Sequence, residues 1–421
     1  MEINDSIKQL LIIGNGFDLA CGLKSSYTDF FKEYLTSPSN LDSKSYWNKF
    51  FKYLSNSKNS EKDYSWTDIE TQIFLQLLHI DFLYENNLLK IDFYDNKKQL
   101  IDEINLILKT KGSKIELSSD LIKRTYFLLF SRVENSFFEE SINLNHIFDV
   151  IKHDLIDLEK HFNEFLTNQI LIANGKSETT KELSGTVFHK NDYFIKSRIL
   201  LLTLLLFYTD INTTNYVAQN LEDLQNESGS MSLIDHLLDI RYLSNSGVIK
   251  SYVLSFNYTQ PYQVSNQRNI HGNLNDKNII FGIDYDKVNT FFSNQPTQFT
   301  KSYRILENKL NSDMVIPSDI DKILFYGHGL GEADYSYFQA IFDTVDLYHS
   351  NTQLVFFWNN FNEEDQYKIQ VERVTNLIEK YGQTFANKDH GRNLFTKLLL
   401  ENRIIFEQIN LEDVWNLNYL H

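Results

Sequence analysis

The sequence predicts an α/β protein, a doubly wound sheet carrying a large, mainly helical insertion, and three observations predict it. Short apolar runs toward the two ends of the chain stop abruptly in turns that carry glycine. Between them lies a long stretch whose apolar residues recur at spacings of three and four, the period of a helix with one buried face. Only four Pro and fifteen Gly punctuate 421 residues, so long helices suffer few interruptions.

The first run, Leu10-Leu11-Ile12-Ile13, ends in Gly14-Asn15-Gly16-Phe17-Asp18. A β-branched run followed at once by two glycines reads as a buried strand turning sharply into a helix. That is a phosphate-cradle geometry: glycine lets the backbone approach a ligand, and the next helix offers unpaired N–H groups to an anion. Leu19 stands where the dinucleotide fingerprint has its third glycine, so a tight turn without a ligand is an equal reading of this loop alone.

Strand-like runs fall at 8–14, 250–257, 278–283, 322–327, 352–358 and 403–408. The economical arrangement is a Rossmann-like nucleotide-binding core from residues 1–30 and 248–421, with 31–247 inserted as a lid or oligomerisation region. Within the insertion, Thr67 to Leu89 and Ile195 to Phe207 read as helices. Ile147, Ile151, Leu155, Leu158, Phe162, Phe165 and Leu166 mark a third with an apolar stripe. Trp66-Thr67-Asp68-Ile69-Glu70 reads as a helix start with Trp66 and Ile69 inward, and its two carboxylates, two apart, do not share a face. Asn174 to Ser184 reads as an exposed loop, and Leu411 to Leu420 as an amphipathic tail.

A net charge of −16 and a pI near 5.2 oppose non-specific adhesion to nucleic acid or anionic membrane, both polyanions. The densest basic group, Lys109, Lys111 and Lys114, reads as a solvated loop. The single cysteine, Cys21, cannot form an internal disulfide, fits a reducing cytoplasm, and reads as a small buried hydrophobe. No basic region precedes the first apolar run, and the longest apolar block, Ile199 to Tyr208, is too short to cross a bilayer, so a cytoplasmic protein without a membrane partner is expected. No metal is expected: the chain has one cysteine and no HExxH histidine pair, while His146, His153 and His161 sit on a helix whose charged face reads as solvated. No Walker lysine follows the glycines, which counts against triphosphate hydrolysis of the P-loop type.

Ligands of open α/β sheets bind outside the carboxyl ends of the strands, so chemistry is expected in three loops. His271, before Gly272, can take or give a proton near neutral pH, or be bonded into a turn. Asn257 ends an apolar run, where it could orient a water or a ribose hydroxyl, or cap a following helix as Thr259 equally could. Asp18 could face a ribose hydroxyl or an attacking water, or stabilise a helix terminus. Gly327, Gly329 and Gly331 expose backbone for a ligand, and Asp334 reads as the N-cap of the next helix.

Taken in order, Leu11-Ile12-Ile13-Gly14-Asn15-Gly16-Phe17-Asp18, Tyr27-Thr28-Asp29-Phe30, Trp66-Thr67-Asp68-Ile69-Glu70, Ser255-Phe256-Asn257-Tyr258-Thr259, Ile270-His271-Gly272 and Gly327-His328-Gly329-Leu330-Gly331-Glu332-Ala333-Asp334 resemble the AbiH family of phage abortive-infection proteins. More distantly the pattern is similar to the sirtuin-like NAD-binding fold. That resemblance implies a pyrophosphate site at Gly14, Asn15, Gly16 and Phe17 and an adenine-ribose site at Gly327, His328 and Gly329. Asn257 stands at its strand-ending asparagine and His271 at its catalytic histidine. Thr259 stands where many such sequences carry an aspartate that helps recognise nicotinamide, and the paired-cysteine zinc module of deacetylating sirtuins is absent. The resemblance therefore implies dinucleotide binding more strongly than nicotinamide recognition, and disfavours deacetylation.

Together these readings lead to an anti-phage effector that binds NAD and hydrolyses its nicotinamide-ribose bond, with His271, Asn257 and Asp18 as catalytic residues. A nucleotide-sensing regulator without turnover and an RNA-targeting nuclease are the alternatives. A phage-derived trigger and a homo-oligomer both stay open.

Overall fold

A computed structural model describes residues 7–37, 44–56, 67–90, 97–110, 117–133, 143–174, 193–208, 249–261, 266–309, 314–359 and 366–415. The expected loop 174–184 falls outside them after Asn174, as do Trp66, Lys111, Lys114 and the end of the expected tail, whose described part is the helix Leu411–Trp415.

The chain forms two compact units. One comprises Met1–Ser25, Leu166–Asn278 and Asn311–His421; the other comprises Ser26–Phe165 and Ile279–Leu310. The first is built on six strands, β1 Ile7–Ile13, β2 Ile249–Ser255, β3 Gln267–Asn269, β4 Lys322–Tyr326, β5 Gln353–Trp358 and β6 Ile404–Gln408. All pair in parallel, in the order β3-β2-β1-β4-β5-β6. The order reverses beside β1, leaving a topological switch point between β1 and β4.

Leu10 to Ile13 are all buried, as a central parallel strand covered on both faces requires. Alternation divides the sheet between two layers. Leu11, Ile13, Val253, Leu324, Tyr326, Val355 and Phe357 pack in one cluster with the helix Tyr193–Leu206, whose residues from Ile199 onward are all buried. Gln9 ties that helix to the sheet by donating from Nε2 to the Leu205 carbonyl at 2.7 Å and to Ser251 Oγ at 2.9 Å. On the alternate face, Phe325 stacks on Phe356 at 4.6 Å and meets Phe338 of the helix Tyr335–Thr344.

Of the expected strands, 278–283 is not one. Ile279, Ile280, Phe281 and Ile283 are buried, but their backbone is engaged elsewhere: the Phe281 N–H donates to Glu159 Oε1 at 2.6 Å, and Ile283 exchanges bonds with Phe299 and Lys301. The third strand is instead the short polar Gln267–Asn269, which an apolar-run criterion passes over.

In the second unit, the expected apolar stripe lies on the helix Leu144–Ala173, and its residues Ile147 to Phe165 are buried. Phe162 and Phe165 meet Phe30, and Phe31 lies 4.3 Å from Phe51 between ring centroids. The helix Ile69–Glu85 starts where expected, with Ile69 buried and Asp68 accepting from the Thr71 N–H. Glu70 pairs with the buried Lys301 at 2.8 Å, which gives that carboxylate a structural role. Among the described residues no helix is long and apolar enough to cross a membrane.

Candidate functional site

Register places the carboxyl ends of four strands level: Ile13 faces Ser255 and Tyr326, and Ser255 faces Asn269. The loops leaving them carry the expected site residues, and they bond to one another. Phe256 N–H donates to the Ile13 carbonyl at 2.9 Å, Ile270 N–H to the Ser255 carbonyl at 2.9 Å, and Gly14 N–H to the Tyr326 carbonyl at 3.0 Å.

The glycines of the first and last loops are there for each other. A Cβ on Gly14 would lie 2.6 Å from His328 Cα, and one on Gly16 would lie 2.7 Å from Gly327 Cα. Gly327, at φ +66°, would place a Cβ 2.4 Å from the Phe17 nitrogen. The amides are also committed: Gly16 N–H donates to the Gly327 carbonyl at 2.8 Å and Phe17 N–H to the Gly14 carbonyl at 2.9 Å. Gly327→Ala is expected to lower stability by about 2–5 kcal/mol, combining left-handed strain with overpacking. Gly329→Ala, whose Cβ would meet nothing within 4 Å, is the control, and thermal unfolding of the two variants checks the contrast.

Asn15 is exposed, and its Oδ1 accepts the Ser25 hydroxyl at 2.6 Å. The Phe17 ring is fully buried in the sheet cluster, edge-on to Tyr326, as is Cys21. Asp18 is 1% exposed. Tyr193 donates to its Oδ1 at 2.8 Å and Thr259 to its Oδ2 at 2.7 Å, so the carboxylate joins the first loop to the loop after β2 and to the helix Tyr193–Leu206. Burial pushes the Asp18 carboxyl up to about 6 against the opposing pull of the Thr259 and Tyr193 hydroxyls.

A folded value above the ordinary 3.8 means that the native state binds the proton more tightly, so this group's contribution to stability falls as pH rises from about 4 to about 6. The full displacement corresponds to about 3 kcal/mol. Asp18→Asn removes the charge, and its advantage over wild type in chemical denaturation is expected to grow through that window and level off above it. An advantage independent of pH would show that Asp18 is not held as described.

Asn257 is 3% exposed, and both its Oδ1 and its Nδ2 are buried without a hydrogen-bond partner among the described residues. It caps nothing, because no helix follows in the described residues 258–261, and Thr259 spends its hydroxyl on Asp18. The loop is fixed from β3: Asn269 Nδ2 donates to the carbonyls of Asn257, at 2.9 Å, and of Thr259, at 3.2 Å. A buried carboxamide held rigidly with donor and acceptor both unspent is costly unless a ligand completes it.

His271, 4% exposed, lies at the end of β3 with its ring against Phe256 and Tyr258, the two neighbours of Asn257. Gly272 follows at φ +80°, where a Cβ would strike the Asn278 carbonyl at 2.1 Å. His271 Nε2 lies 3.3 Å from Asp334 Oδ1, and His328 Nε2 lies 3.4 Å from Asp334 Oδ2. Asp334 is the N-cap residue of the helix Tyr335–Thr344, but its side chain makes no capping bond, contrary to the reading from sequence. Its two oxygens instead face the imidazoles of His271 and His328. Sequence spacing could not reveal this, nor the roles of Asn269 and Tyr193, because a cap and a site carboxylate look alike in one dimension and Tyr193 is 175 residues from Asp18.

A family model described as bacteriophage abortive infection AbiH matches residues 10–165 and 144–358, a span that includes every loop of this site. No curated protein and no solved structure matches the chain.

Proposed function

We propose, from the premise that this chain belongs to the AbiH family of bacteriophage abortive-infection proteins, that it acts against phage by binding a nucleotide, NAD, and hydrolysing its nicotinamide-ribose bond. The observation that carries the reading is the Asn257 carboxamide, buried without a partner among the described residues, in the loop whose Phe256 and Tyr258 pack on His271, at the carboxyl edge of a sheet whose strand order is that of Rossmann dinucleotide-binding folds.

Cleaving a glycosidic bond passes through an oxocarbenium-like state, so the protein must fix the ribose and deliver an oriented water. Asn257 offers one donor and one acceptor, a match for a ribose diol or a water held against it. His271 would take the proton of that water. Gly329 and Gly331, where a Cβ would meet nothing within 4 Å, leave room along the last loop for the rest of the dinucleotide.

Two features narrow the earlier expectation. Asp18 has both oxygens engaged by hydroxyls and supports the site from behind. The amides of Gly14, Gly16 and Phe17 are spent within the loops, so phosphate recognition falls to other donors. The test is free nicotinamide released from NAD by the purified protein, together with cellular NAD in infected cells. Tight binding without release would instead identify a nucleotide-sensing regulator, and neither binding nor release would end the NAD reading.

A further inference from the structure

We infer that Asn269 is a positioning residue of the site: its carboxamide clamps the loop 257–259 to β3 and so fixes the Asn257 carboxamide relative to His271. The catalytic consequence rests on the proposed function; the clamp does not.

Residues 256–261 belong to no helix or strand, so regular structure does not hold the backbone of this loop. Its carbonyls are taken instead, one after another, by the segment that carries His271. Asn269 Nδ2 donates to the Asn257 carbonyl at 2.9 Å and to the Thr259 carbonyl at 3.2 Å, and the Leu274 N–H donates to the Tyr258 carbonyl between them at 2.9 Å. Asn269 is itself anchored in the sheet: it stands opposite Ser255, whose carbonyl accepts the next N–H, that of Ile270, at 2.9 Å.

Two donors on one atom are what this position uses. A primary amide carries two hydrogens in one plane, whereas a hydroxyl carries one and Gln is a methylene longer. The partners also assign the orientation of the amide: with Nδ2 toward two carbonyls, Oδ1 accepts from Gln267 Nε2 at 2.9 Å, and the reverse would set oxygen against oxygen twice. Thr259 is held a second time from behind, its hydroxyl donating to Asp18 Oδ2 at 2.7 Å.

The consequence falls on Asn257. Its N–H donates to Ser255 Oγ at 3.2 Å and its carbonyl accepts from Asn269, so its main chain is bonded on both sides while its carboxamide has no partner among the described residues. His271 follows Asn269 by two residues, and its ring packs on Phe256 and Tyr258 of the clamped loop. One side chain thus ties together the two groups whose relative placement the proposed reaction depends on, and a misplacement of about 1 Å there costs on the order of 10²-fold in rate.

The experiment is 15N NMR of the full chain labelled at asparagine, with Asn269→Asp and Asn257→Ala assigning the two side-chain amides, followed by steady-state kinetics on NAD. In wild type, both Nδ2 hydrogens of Asn269 are expected to exchange with solvent far more slowly than those of an exposed asparagine. Asn269→Asp keeps the shape and removes both donors, so the Asn257 amide signal is expected to shift and broaden. Nicotinamide release by this variant is expected to fall on the order of 10²-fold in kcat, with KM less affected. A residue that only stabilised the fold would leave the kcat of the folded protein unchanged. In an Asn257→Ala background the same substitution is expected to change kcat/KM by no more than about twofold, because the group it positions is gone. Asn269 hydrogens that exchange like exposed ones, an Asn257 signal unchanged in Asn269→Asp, a wild-type kcat, or the full loss repeated in the Asn257→Ala background each overturn the inference. The wild-type exchange rates test the clamp even if the variant does not fold. Protected hydrogens and a shifted Asn257 signal with NAD left intact would sink the proposed function and leave the clamp standing.

Discussion

His271→Ala is expected to abolish nicotinamide release, a loss on the order of 10²–10⁴-fold in kcat/KM, and to leave NAD levels intact in infected cells expressing it. The ring packs on Phe256 and Tyr258, the residues that flank Asn257, at the carboxyl edge of the sheet. Asn257→Ala separates chemistry from recognition. The Asn257 carboxamide has no bond to lose among the described residues, so its removal is expected to keep or raise the melting temperature while weakening NAD binding, measured by calorimetry. A His271→Ala protein that releases nicotinamide at the wild-type rate would end the assignment. An Asn257→Ala protein that unfolds early would show that the carboxamide is structural.

Arg304→Ala is expected to produce the largest loss of stability in the second unit, about 3–5 kcal/mol. Arg304 donates through Nη1 to Glu159 Oε1 at 3.1 Å and through Nη2 to Oε2 at 2.8 Å, with both side chains buried. Burial pushes the Glu159 carboxyl up, while the guanidinium and the Phe281 N–H hold it down. Removing the guanidinium strands that carboxylate in an apolar setting, which is the costly change; removing both charges is less so. The double variant Glu159→Leu, Arg304→Met is therefore expected to recover much of the loss but not all, because the Phe281 N–H loses its acceptor, worth about 1–3 kcal/mol. Denaturant unfolding of the two proteins measures the difference. Equal stability of the single and double variants would show that the stranded Glu159 carboxylate is not the source of the loss.

The pair also explains why the run 278–283 misled. Its apolar composition demands burial, and the structure buries it, but composition cannot say whether a neighbouring strand or a carboxylate from a helix will take its amides. Gln267–Asn269 is the converse: three polar residues pair with β2 because register and loop length bring them there.

The sequence by itself determined the elements whose signal is local: the strand runs of β1, β2, β4, β5 and β6, the buried stripe from Ile147 to Phe165, and the glycine turns that end β1 and β4. It also marked His271, Asn257 and His328, since polar groups set in apolar runs or glycine loops are conspicuous in one dimension. Only the tertiary structure decided what those groups touch. It gave Asp18 to Tyr193 and Thr259, left the Asn257 carboxamide without a partner among the described residues, faced Asp334 toward two histidines in place of a helix cap, and used Gly14, Gly16 and Gly327 to let two loops meet. The physical reason is range. Burial and backbone preference are written residue by residue, whereas a hydrogen-bond partner is chosen by whichever group packing brings within about 3 Å, however distant it is along the chain.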